Sequence, residues 1–169
     1  FLGFAAKCVA REESVVKVSL PPCANMTRAD LYTIATVESP NAVLVLSPGC
    51  NGNAEKWICL GVWQEFARSQ GLGLVGLSFA SDTSQLSNKE NPRGYHYVSQ
   101  RSDQVLLDGI EKIYHKPLPL IMYGFSGGAH FTSRFAEWKP DRVVAWCAYS
   151  AGWWDKPEKT DVGPGSYTH

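Results

Sequence analysis

The sequence predicts an α/β fold, a mostly parallel twisted sheet flanked by helices, and three observations predict it. Short apolar runs alternate with segments of helical period. Glycine, asparagine, serine and proline punctuate nearly every junction between them. One run, residues 42–46 (Ala-Val-Leu-Val-Leu), is apolar without a break, as a strand covered on both faces must be.

Taken in order, residues 15–20 and 32–37 read as two opening strands joined by the turn-rich Pro21-Pro22-Cys23-Ala24-Asn25. The buried run 42–46 comes next. Asn53 can cap the following helix, in which Cys59, Val62, Trp63, Phe66 and Ala67 fall at i, i+3, i+4, i+7 and i+8, with Gly71 placed to stop it. That stripe is expected to pack on the sheet. Residues 72–79 form the next strand, and after a polar loop through Asn91-Pro92, Ser99 can cap a helix whose Leu106, Gly109, Ile110 and Ile113 share one face. Pro117 and Pro119 separate it from a strand at 120–123. A third helix carries Phe131, Phe135 and Trp138, ends before Pro140, and gives way to a strand over Val143–Tyr149. The predicted order is β-β-β-α-β-α-β-α-β.

Composition narrows the function. Sixteen basic residues balance sixteen acidic ones in 169, and no block of Lys/Arg breaks the balance, so neither nucleic acid nor an anionic membrane is an expected partner. No apolar run approaches the roughly 20 residues of a membrane span. The first ten residues pair an apolar patch with small Cys8 and Ala10. They fit either the tail of a signal peptide cleaved after Ala10 or an ordinary first strand or frayed terminus. The five cysteines, Cys8, Cys23, Cys50, Cys59 and Cys147, have no metal spacing, so no metal site is expected. Without Cys8, four could pair in three ways in an oxidising compartment; in a reducing one all would be buried thiols.

The stretch that carries chemistry is Gly124-Phe125-Ser126-Gly127-Gly128. Gly-x-Ser-x-Gly alone arises by chance in about one chain in twenty of this size. Here an apolar strand runs straight into it and a helix leaves it, which lifts the serine on a tight turn at the carboxyl end of a sheet. The residues two before and two after the serine nearly touch in such a turn, so Gly124 and Gly128 are required to leave room. Ser126 is the expected nucleophile, and Gly127 at the positive end of the helix is expected to donate one N–H to an oxyanion. A second glycine-rich loop, Ser47-Pro48-Gly49-Cys50-Asn51-Gly52-Asn53, closes the buried strand and opens a helix. It nominates the Cys50 N–H, with Asn51 as alternate, for the second donor.

On these two loops the chain resembles α/β-hydrolases of the serine esterase type, including polyester-depolymerase-like and dienelactone-hydrolase-like members. The likeness runs over residues 15–149. It implies an α/β-hydrolase fold lacking its last strands, with residues 11–169 a partial domain. It also implies cleavage of a carboxylic ester, in a small-molecule or in a carbohydrate or polymer substrate, through an acyl-enzyme on Ser126 with no cofactor. The family order of serine, acid and histidine places the last two after Ser126, so the catalytic histidine is expected beyond residue 169 and the 169 residues alone are expected to be inactive. Secretion or a periplasmic place is the implied location, with the cytoplasm as alternative. A serine peptidase or acyltransferase on the same scaffold, and a non-catalytic binding module, are the rival readings.

Other candidates are weaker. His130 lies one turn along the helix from Ser126 and reads as a packed or capping residue; His169, in a tail of Gly165-Ser166-Tyr167-Thr168-His169, is assigned no chemistry. His96 either lines the mouth of the site or is a surface loop residue. Asp155 is a candidate acid, and Trp153 and Trp154 beside it could wall a substrate pocket. Asn25-Met26-Thr27 matches a glycosylation acceptor. Gly71-Leu72-Gly73-Leu74-Val75-Gly76 matches a dinucleotide fingerprint but follows a helix and runs on as a strand, so nucleotide binding is rejected.

Overall fold

A computed structural model describes residues 14–23, 26–82 and 94–152. Among them, β1 (Val16–Ser19), β2 (Arg28–Ile34), β3 (Ala42–Ser47), β4 (Leu72–Ala80), β5 (Leu120–Phe125) and β6 (Val143–Tyr149) form one sheet in the order β1-β2-β4-β3-β5-β6. The β1/β2 and β2/β4 pairs are antiparallel, and the β4/β3, β3/β5 and β5/β6 pairs are parallel. The helices described are α1 (Glu55–Ile58), α2 (Gly61–Ser69), α3 (Ser102–Tyr114) and α4 (Gly127–Trp138).

The unbroken apolar run at β3 has its physical reason in two cores. Val43 and Val45 face one side with Val75, Leu77, Leu106, Ile110, Phe131 and Phe135, under α3 and α4. Leu44 and Leu46 face the other with Leu74, Ile58 and Ala67, under α1 and α2. Alternate side chains of one strand feed both layers, so every residue of β3 and of β4 is buried. The run from Gly71 is accordingly strand from Leu72 on, and Gly76 is a packing residue: a Cβ there would sit 2.8 Å from the Ala54 Cβ.

Four local readings differ from the structure. β2 starts at Arg28 and ends at Ile34, where 32–37 was the expectation, because its charged opening residues are paired. Lys17 Nζ lies 2.8 Å from Asp30 Oδ2, the Ser19 hydroxyl donates to Asp30 Oδ1 at 2.6 Å, and Arg28 binds backbone carbonyls. The helix after Asn53 is two helices, broken where Leu60 turns extended (ψ 126°). The break shifts the phase of the stripe: Ile58 and Ala67 are buried and Trp63 is half-buried, while Cys59, Val62 and Phe66 are exposed. Asn53 Oδ1 still accepts the Glu55 N–H, at 2.7 Å. Ser99 does not cap α3. It lies in a 3-10 turn (Val98–Gln100), and the left-handed Arg101 (φ 78°) leads into the helix at Ser102. Finally, the thiols among the described residues are not buried: Cys50, Cys59 and Cys147 are exposed and Cys23 is half-buried.

Candidate active site

The topology brings the two glycine-rich loops together. β3 and β5 are parallel neighbours whose ends are in register, Ser47 opposite Gly124, so the chain leaves both strands at the same edge of the sheet. From there one loop leads towards α1 and the other straight into α4.

At Ser126 the backbone adopts φ 53°, ψ −117°, a conformation that costs a non-glycine residue about 1–3 kcal/mol and persists only where its surroundings enforce it. The enforcement is visible. The Ser126 N–H donates to the Tyr149 carbonyl at 3.0 Å, its carbonyl accepts from the Ala129 N–H at 2.9 Å, and Gly124 and Gly128 are in backbone contact. A Cβ on Gly124 would overlap the Gly128 carbonyl, and one on Gly128 would overlap the Ser47 carbonyl. A Cβ on Gly127 would lie 2.7 Å from both N and Cα of Cys50. The start of α4 and the Cys50 amide are thus in van der Waals contact, beside a half-buried Ser126.

The loop from Pro48 to Asn53 is itself pinned. Asn51 is left-handed (φ 55°), and its side chain pairs twice with Ser81: Nδ2 donates to the Ser81 carbonyl at 2.8 Å and Oδ1 accepts the Ser81 N–H at 2.9 Å. Arg28 Nη2 donates to the carbonyls of Asn51 (2.6 Å) and Gly52 (2.9 Å), and Nε to that of Ser78 at 3.3 Å. Burial pushes the Tyr95 phenol well above its usual range, and Cys50 adds to the rise. A hydrogen bond with the Asn51 backbone and the charge of Arg28 pull the other way. Tyr95 is held in turn by its own N–H to the Ser81 hydroxyl at 2.8 Å and by its carbonyl, which accepts from the Ser102 hydroxyl at 2.5 Å. Arg28, Ser81 and Tyr95 carry no local sequence signature, and none was expected at the site. Partial burial also raises the pKa of the Cys50 thiol, so at neutral pH it is protonated and a poor nucleophile.

The other candidates separate. His96 is buried, not a surface loop residue. Its ring lies 4.5 Å from that of Tyr97 and 6.2 Å from that of His130, and Arg134 stacks on Tyr97 at 4.3 Å. His130 is buried on α4. Phe125 and Tyr149, 6.0 Å apart, continue with Trp57 (6.4 Å from Phe125) as an aromatic string at this edge, a feature the sequence reading did not single out. Trp153, Trp154, Asp155, His169, Asn25 and the first ten residues lie outside the described residues.

No family model matches the sequence, and no curated protein does. Solved structures do. Poly(aspartic acid) hydrolase-1 from Sphingomonas sp. KT-1 superposes with a TM-score of 0.63 at 20% identity over 86% of this chain and 59% of its own. The poly(3-hydroxybutyrate) depolymerase LpqC from Bordetella parapertussis gives 0.58 at 18%, over 84% and 53%. An acetyl xylan esterase from Aspergillus awamori gives 0.58 at 18%, over 82% and 53%. The chain therefore spans between half and three-fifths of the length of these proteins. With its mixed six-stranded sheet, helices on both faces and Ser126 at the strand-to-helix bend after β5, the chain has the α/β-hydrolase fold.

Proposed function

We propose that this chain is the part of a serine esterase that carries the nucleophile and the oxyanion donors, with the catalytic histidine supplied from outside these residues. Ser126 Oγ attacks the ester carbonyl and gives its proton to that histidine. The oxygen that turns negative is held by the N–H groups of Gly127 and Cys50, the alcohol leaves with the histidine's proton, and water then releases the acid from Ser126. The observation that carries the reading is the contact of the Gly127 and Cys50 backbones beside a strained, half-buried serine at a helix N-terminus. Hydrolysis as the class is supported by solved structures of similar fold that are a hydrolase, a depolymerase and an esterase. The Phe125, Tyr149 and Trp57 rings favour a substrate with an apolar or ring-bearing portion.

The test is turnover of p-nitrophenyl acetate. The full-length protein containing this chain should hydrolyse it, and Ser126→Ala should lose at least about 10³-fold in kcat. The 169-residue chain alone should be no faster than its own Ser126→Ala variant. Ser126-dependent turnover by the short chain would overturn the external histidine, and a full-length enzyme indifferent to Ser126→Ala would overturn the whole reading.

A further inference from the structure

An oxyanion site made of backbone amides works only if those amides already point at the developing charge, because reorganising them during the reaction would cost what they contribute. The Gly127 amide is fixed by α4. The Cys50 amide has no such element behind it: it sits in a glycine-flanked loop, ahead of a helix of four residues.

What holds that loop is a set of polar ties from outside it. Arg28 opens β2 opposite Ala80, the last residue of β4, and this places its guanidinium at the same sheet edge as Ser126. From there one Nη2 reaches two successive loop carbonyls, those of Asn51 and Gly52, while Nε reaches back to Ser78 on β4. Asn51 makes the reciprocal pair with the backbone of Ser81, which follows β4. Asparagine tolerates the left-handed conformation that the loop imposes there, and its amide can both donate to the carbonyl and accept from the N–H of one residue. Ties to two separate strand ends determine the loop from both sides.

Resting on the esterase reading above, we propose that Arg28 and Asn51 are positioning residues for ester hydrolysis: together they clamp the loop to the ends of β2 and β4 so that the Cys50 N–H and the Gly127 N–H converge on one position before substrate arrives. Neither side chain touches the reacting atoms. Their effect therefore falls on kcat, where the oxyanion is stabilised, and not on ground-state binding.

The experiment uses the full-length protein, p-nitrophenyl acetate and a fluorophosphonate, with Arg28→Met, Arg28→Lys, Asn51→Gly and the Arg28→Met/Asn51→Gly pair. Asn51→Gly keeps the left-handed backbone free of strain while removing the clamp. Each of Arg28→Met and Asn51→Gly should lower kcat by about 10- to 100-fold with KM within about threefold, and slow phosphonylation of Ser126 in parallel. Arg28→Lys, which can still meet one carbonyl, should recover part of the loss. The double variant should lose little more than the worse single one, since both residues hold the same loop. Hydrogen exchange over residues 48–53 should quicken at least tenfold in the variants while the melting temperature of the protein stays within a few degrees. Unchanged kcat in the variants of an active wild type, or unchanged exchange in the loop, overturns the positioning role and leaves the esterase reading standing. A wild type inert to both ester and fluorophosphonate defeats the esterase reading, and the positioning role falls with it.

Discussion

At the scale of single residues, steric need made the serine turn legible. Glycine at 124, 127 and 128 is dictated by backbone atoms closer than a Cβ allows, and that requirement shows in any sequence that satisfies it. Gly128→Ala should therefore cost about 3 kcal/mol or more in a denaturant melt, or prevent folding, because the added carbon meets the fixed carbonyl of Ser47. The partners of the Cys50 loop were illegible for the opposite reason. Arg28, Ser81 and Tyr95 reach Asn51 across sequence gaps that no local pattern encodes. His130 is buried on α4 with its ring 6.2 Å from that of His96; His130→Gln in the full-length protein should keep kcat within about tenfold, where loss of a general base costs about 10²–10⁴-fold.

Between residues and the whole, the elements show what period and punctuation can deliver. β3, β4 and α4 follow from apolar runs and a helical stripe bounded by glycine or proline. The sequence pattern starts β2 four residues late, at 32 where the strand begins at Arg28, because Arg28 and Asp30 look like loop residues until their partners are known. Burial alone would raise the Asp30 pKa, but the hydrogen bonds from Lys17 and Ser19 and the charge of Lys17 outweigh it and hold the carboxyl below its usual range. Lys17 is raised by the same contact. A depressed carboxyl stabilises the fold above its unfolded pKa and stops doing so as pH falls through the folded value. A raised amine contributes below its unfolded pKa and loses its contribution as pH climbs through the folded one. Asp30→Asn should thus destabilise by about 0.5–1 kcal/mol at pH 7, with the gap to wild type closing in acid below about pH 4 and again at strongly alkaline pH. Equality of the two melts across that range would contradict it. The break at Leu60 hid Ile58 from the periodic stripe, yet Ile58 is fully buried between Gly76 and the second core. Ile58→Ala should cost about 2–5 kcal/mol.

Over the whole molecule the class and the order of strands and helices along the chain are readable, since runs of helical and strand period alternate between turn residues. The antiparallel insertion of β2 beside β4 is not, because pairing partners are set by the assembled sheet. Among the described residues β6 is the edge strand of this sheet, with Val144 65% and Trp146 49% exposed. An apolar strand edge in that state recruits other strands. The 169-residue chain alone should therefore self-associate in sedimentation velocity at micromolar concentration, and Val144→Lys with Trp146→Lys should return it towards monomer. A monomeric wild-type chain would refute this. Ser126 as a reactive serine in a formed anion site is tested directly by fluorophosphonate labelling of the full-length protein, with the modified peptide read by mass spectrometry. One stoichiometric adduct on Ser126, abolished by Ser126→Ala, is the expected outcome; labelling elsewhere, or none in folded protein, would rule out a reactive Ser126.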